Sequence, residues 1–155
     1  MARAALFAVA MIAVALVGCG DVGAPSSAPS AGVALDLPPC GKPPSPDPSV
    51  PPPGALLPPG SRITAVRERP PLVQLNGYVT MTPRQVRAWI EARQGLDIVL
   101  VEDDAYEAEL LVSDGQWRTF VKATAVCTEG SLLSEVIAPQ DSDAVLPTPA
   151  GRYVP

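Results

Sequence analysis

Prolines decide where this chain can build regular structure. Of its 155 residues, 20 are proline, and the stretch from Gly20 to Gly60 carries runs such as PPCGKPPSPDPSVPPPG. Each proline fixes φ near the polyproline II value and removes a backbone donor, so this stretch forms neither a helix nor the interior of a sheet. It reads as a disordered or semi-extended spacer, residues 19–60. Roughly forty residues at about 3.1 Å each reach on the order of 120 Å when fully extended. What remains for a folded unit is Ser61–Pro139, residues 61–139, followed by a tail, residues 140–155, expected to be flexible. One domain of that size buries a modest core and gains from a covalent staple.

Within the domain the hydrophobic pattern predicts six strands and one helix. RITAVRER reads as a first strand, stopped by Pro70-Pro71. PLVQLNGYVTM reads as one continuous strand with a bulge at Gly77, in preference to a hairpin turning at Asn76-Gly77 with very short arms. In TPRQVRAWIEARQG, Thr82 is placed as N-cap, Pro83 at N1 and Gln85 at N3, a capping box. Val86, Trp89 and Ile90 then share one face of an amphipathic helix, with Gly95 as its stop. LDIVLVEDD follows as a buried strand, with Ile98 and Leu100 on one face and Val99 and Val101 on the other. Asp114-Gly115 is a two-residue turn that pairs Val112 with Trp117, Leu110 with Thr119 and Glu107 with Lys122. Counting by twos from Trp117 places Cys127 on the apolar face. LLSEVIAP supplies the last strand. The fold class is therefore α+β: a small antiparallel sheet of five to six strands with one amphipathic helix packed on one face.

Upstream of the spacer, Ala4–Val17 is an uncharged apolar run behind Arg3. As a helix it spans roughly 21 Å, short of the ~30 Å hydrocarbon core, so it fits a secretory h-region better than a membrane span. An ordinary signal peptide with an incidental cysteine, or a short anchor helix, also fits the run. The residues that close it, Leu16-Val17-Gly18-Cys19, resemble the bacterial lipobox. That resemblance covers Met1–Cys19 only. It implies a lipoprotein signal peptide over residues 1–18 and a lipidated Cys19 at the mature amino end, bearing a thioether-linked diacylglyceryl group. It implies anchoring to the cell membrane on the extracytoplasmic face, where two or more acyl chains hold stably and one is marginal.

The chain has 3 cysteines. Lipidation of Cys19 leaves Cys40 and Cys127, an even remainder that in an exported protein predicts one disulfide, stabilising by roughly 4–5 kcal/mol. No spacing resembles CxxC, which argues against redox catalysis and zinc.

Net charge is −5, which gives no support for nucleic acid as a partner. Basic residues concentrate between Arg62 and Arg93, acidic ones between Asp97 and Asp143. There is no histidine, so the commonest general base and metal ligand is missing. Ser113, Ser131 and Ser134 have no evident activator. The one cluster to weigh is Glu102, Asp103, Asp104, Glu107 and Glu109. It offers a surface for a partner or a cation, but lacks the spacing of a calcium loop and reads more simply as a solvated turn. No cofactor, metal or catalytic residue is expected. These readings converge on a membrane-anchored lipoprotein carrying a non-catalytic binding or structural domain, its partner an envelope protein or the cell wall. The edge strands Arg62–Arg69 or Leu132–Ile137 are expected to accept a partner strand. The alternative is a carrier of an apolar or lipidic ligand; a carboxylate hydrolase using Asp104 ranks last.

Overall fold

A computed structural model describes residues 36–149 and the backbone of the short strand Arg152–Tyr153. The leader and Cys19 lie outside the described residues. The elements are β1 (Arg62–Arg69), β2 (Leu72–Val79), α1 (Pro83–Glu91), β3 (Asp97–Asp103), β4 (Glu107–Ser113), β5 (Trp117–Cys127), β6 (Gly130–Pro139) and β7 (Arg152–Tyr153). They form one sheet in the order β1-β2-β6-β5-β4-β3-β7, with every neighbouring pair antiparallel. Six long strands make the sheet and the two-residue β7 trims its end. Antiparallel alternation along that order makes β2 and β3 run parallel. Parallel strands need a crossover, and α1 supplies it.

The helix begins as its sequence dictates. Thr82 Oγ1 accepts from Gln85 N at 3.3 Å, and Gln85 Oε1 accepts from Thr82 N at 2.8 Å, so both halves of the capping box form. It ends at Glu91 with Ala92 as C-cap, so Gly95 is not the stop. Gly95 instead takes φ +80° in the turn that follows. Val86 and Ile90 are fully buried in one cluster with Val79, Leu110, Val121 and Leu133 of the sheet. Trp89 packs at the margin of that cluster, with the Arg93 guanidinium 4.9 Å from its ring centroid.

β2 is continuous through Asn76-Gly77. The bulge lies across from it at Thr64, where pairing shifts between Ile63 and Ala65. Two more bulges sit at Val99 and at Val126. A bulge inserts one unpaired residue and reverses the alternation of faces beyond it. Three placements follow from these bulges. Ile98 and Val101, rather than Ile98 and Leu100, share the helix-side face, opposite Val112 and Leu110. Ile63 and Val66 both join that face, opposite Gly77 and Leu75. Cys127 turns to the helix-free face, where its sulfur lies 3.8 Å from the Tyr78 hydroxyl.

The β4–β5 turn is longer than two residues. Ser113 pairs with Arg118, and Asp114 Oδ1 accepts from both Gln116 N and Trp117 N. The register is thus displaced by two: Val112 faces Thr119, Leu110 faces Val121 and Glu109 faces Lys122. Because the side-chain period is two, the displacement keeps every residue on its expected face. β6 lies between β2 and β5, so Leu132–Ile137 is not an edge.

The segments outside Ser61–Pro139 also pack. Leu56 and Pro58 of the proline-rich stretch are buried, and Thr119 Oγ1 donates to Gly54 O at 2.9 Å. The folded unit therefore begins before Ser61. In the tail, Leu146 is buried with Phe120 and Ala138, and Arg152–Tyr153 pairs with β3. The reason is geometric. A single sheet has two faces, α1 covers part of one, and the remaining apolar rows need cover from the chain's own ends.

Candidate functional site

The helix-free face is covered at both ends and open between them. At one end Cys40 and Cys127 form the expected disulfide, with Cα atoms 4.9 Å apart. It ties Pro38–Pro44 over Tyr78, assisted by Thr128 N donating to Pro38 O at 3.0 Å. At the other end Arg118 Nη2 donates to Ser142 O at 2.8 Å and to Ala144 O at 3.0 Å, which brings Ala144 and Leu146 against Phe120. Between the two lies a hollow of about 500 Å³ lined by Thr64, Asn76, Lys122, Thr124, Leu132 and Ser134.

Register explains why these side chains meet. Asn76, Ser134, Lys122, Glu109 and Glu102 stand in one row across β2, β6, β5, β4 and β3, and Tyr78, Leu132, Thr124 and Glu107 stand in the next. Lys122 Nζ lies 2.6 Å from Glu107 Oε1 and 2.9 Å from Glu109 Oε1. These hydrogen bonds, Glu107 first, raise the Lys122 pKa, so its ammonium stays charged and is not available as a base. Thr124 Oγ1 adds a bond to Glu107 Oε2 at 3.2 Å. Leu132 is 49% exposed, an apolar side chain among polar ones. The hollow presents hydroxyl, amide and ammonium groups around a surface that is mostly apolar, to which Leu132 and Leu133 contribute.

The acidic run divides among several tasks. Asp103 Oδ1 pairs with Arg87 Nη1 of α1 at 2.7 Å. Asp104 Oδ1 accepts from Tyr106 N at 2.6 Å and Glu107 N at 2.8 Å, building the β3–β4 turn. Glu107 and Glu109 bind Lys122, and Glu102 lies exposed opposite Glu109. Among the described residues no group of acidic, histidine or cysteine side chains is placed to hold a metal ion. Ser131 Oγ donates to Met81 O at 2.7 Å. The β1 edge carries several features that discourage strand addition: the Thr64 bulge, Arg62, Arg67 and Arg69, Pro70, and Asp47 N on Ile63 O at 2.7 Å.

One buried group escaped the sequence reading. Glu135 is fully buried at the centre of the helix-side face. Its signal is visible in hindsight, since alternation in LLSEVIAP puts it in line with Leu133 and Ile137. Burial raises its pKa from 4.5 to about 7, opposed by the hydrogen bond from Leu56 N.

No protein-family model, curated protein or solved structure matches the chain, so the hollow's geometry carries the functional argument.

Proposed function

We propose that this chain is a lipid-anchored, extracytoplasmic binding module with no catalytic role, and that the open hollow on the helix-free face is its contact surface for an envelope partner, a protein or a cell-wall polymer. The observation that carries the reading is the uncovered middle of a sheet face whose ends are both covered by the chain itself. A concavity that is mostly apolar and carries a few placed polar groups is the ordinary form of a recognition site. The Cys40–Cys127 bond supports an oxidising compartment, in line with export through the lipobox of Leu16–Cys19. With acyl chains on Cys19, chain length alone limits the distance from anchor to Asp36 to about 60 Å. Against the carrier alternative stands the filling beneath α1, where Val86, Ile90, Leu110 and Val121 bury one another.

A photoreactive amino acid at Leu132, introduced in living cells, tests the surface. We expect a crosslinked adduct from Leu132 and none from Val145, which is 87% exposed and away from the row of Lys122. No adduct at Leu132, or the same adduct at both positions, would overturn the assignment. Loss of the protein from the membrane fraction in Cys19→Ser tests the anchor separately.

A further inference from the structure

Across β1, β2, β6, β5, β4 and β3 runs one rung of facing residues: Val66, Leu75, Glu135, Val121, Leu110 and Val101. Five are apolar and the central one is a carboxylic acid. Its Oε2 accepts from Leu56 N at 3.0 Å, and its Oε1 has no hydrogen-bond partner among the described residues. Leu56 belongs to Gly54–Pro58, the segment lying over this part of the sheet. Two hydrogen bonds join that segment to the sheet among the described residues: Leu56 N to Glu135, and Thr119 Oγ1 to Gly54 O. The prolines around it leave few backbone donors to make more.

Among the described residues no opposite charge stabilises an ionised Glu135. The covering segment holds no titratable side chain. On α1, Arg87 is bound to Glu91 and Asp103, while Arg84 is exposed. On β1, Arg67, Glu68 and Arg69 are exposed at the sheet margin. On β3, Asp103 is the helix-side acid and is held by Arg87. Lys122, Arg118, Glu107, Glu109 and Tyr78 project from the opposite face. A carboxylate in this place would be a buried charge with one backbone donor, and the smallest movement that admits water is release of the segment above it.

We propose that Glu135 works as a proton-operated latch on Gly54–Pro58: the segment stays closed while the carboxyl holds its proton, and opens when that proton leaves to solvent. Opening frees Leu56 and Pro58, both buried when closed, and uncovers Trp117 and Ile137, against which Gly54 is seated. The latch would expose an apolar patch more often at neutral and alkaline pH than in acid. It is independent of the hollow on the other face.

Amide hydrogen exchange of the full chain, corrected for intrinsic rates, reads the latch at Leu56. With the closed-state acid at about 7 and the open-state acid at 4.5, opening releases a proton throughout that interval. The opening equilibrium then rises tenfold per pH unit, roughly 300-fold in all, and levels off above. We expect the Leu56 protection factor to fall about 100-fold between pH 4.5 and 7.5, while staying far below that of Val121 in the sheet centre. Glu135→Gln, which keeps an acceptor but no titration, should abolish the fall. If that variant does not fold, Glu135→Met should give lower but pH-independent protection. A flat wild-type profile, equal protection at Leu56 and Val121, or a fall that persists without the carboxyl would each overturn the proposal.

Discussion

Removing the disulfide tests whether the proline-rich segment is part of the folded domain. Cys40 and Cys127 are separated by 87 residues, so their bond closes a loop containing β1 through β5. In the chain-entropy account, closing a loop of that length costs the unfolded chain about 15 cal/mol/K, or about 4.5 kcal/mol at 25 °C. Set against the ~5–15 kcal/mol that holds a typical domain together, that is a large share. The double variant Cys40→Ser, Cys127→Ser should therefore unfold in urea at a much lower midpoint than the oxidised protein. With a slope near 1.5 kcal/mol/M the midpoint falls by about 3 M. The native side adds a smaller loss, because without the bond the contacts of Pro38 with Thr128 are free to fray. The slope itself should rise in the variant, since an uncrosslinked chain exposes more surface when unfolded. A stability difference under about 1 kcal/mol would refute the reasoning. It would mean that the unfolded chain already keeps these ends together, or that the bond strains the native sheet by as much as it constrains the coil.

Three further outcomes follow from single positions. Gly54→Ala puts a Cβ 2.7 Å from Trp117 Cβ at a residue with φ +78°, so it should cost about 1–3 kcal/mol in thermal or urea unfolding and loosen the segment over Glu135. Thr82→Ala removes one half of the capping box and should cost about 1 kcal/mol, with the loss of protection concentrated in the first turn of α1. For Glu135 the folded acid is raised above its ordinary value, so its contribution is fully present below pH 4.5 and is lost as pH rises toward 7. Unfolding measured across that range should lose up to about 3 kcal/mol in the wild type, and Glu135→Leu should flatten this slope.

Much of the domain was legible because local signals agreed. Thr82, Pro83 and Gln85 announce a helix start on their own, and Val86 and Ile90 mark its buried side. The strands showed as apolar runs between turn residues, and Asp114-Gly115 marked the β4–β5 reversal. What could not be read is where alternation slips. A bulge at Thr64, Val99 or Val126 adds one residue to one strand, and its energetic reason lies in the partner strand. Hints existed in retrospect: Ile63 and Val66, like Ile98 and Val101, are spaced by three, which suits a bulged strand better than a regular one. Of the candidate residues, Cys40 and Cys127 meet as their count implied, and the acidic run resolves into a turn, an interstrand pair and a helix contact. The hollow itself was hidden, because Asn76, Ser134 and Lys122 meet only once β6 inserts between β2 and β5. No local signal reports that insertion.

Composition misled most where the chain covers itself. Proline-rich sequence cannot donate to a sheet ladder, and from that it is easy to infer that it cannot pack. The inference confuses two kinds of interaction. A polyproline-like segment has few donors but presents a continuous apolar surface, and its conformational freedom is already small before it docks. Laid over a sheet face it needs no ladder, only a matching row of side chains and an occasional anchor. Here the anchors include Cys40 on Cys127, Thr119 on Gly54 and Glu135 on Leu56. The first is covalent, the second a neutral hydrogen bond, and the third depends on a proton. A cover fastened in three such different ways need not loosen as a unit: reduction would free its Cys40 end, while a change of pH would free the part over Glu135. That separation gives the otherwise costly carboxyl at the centre of an apolar rung a physical role.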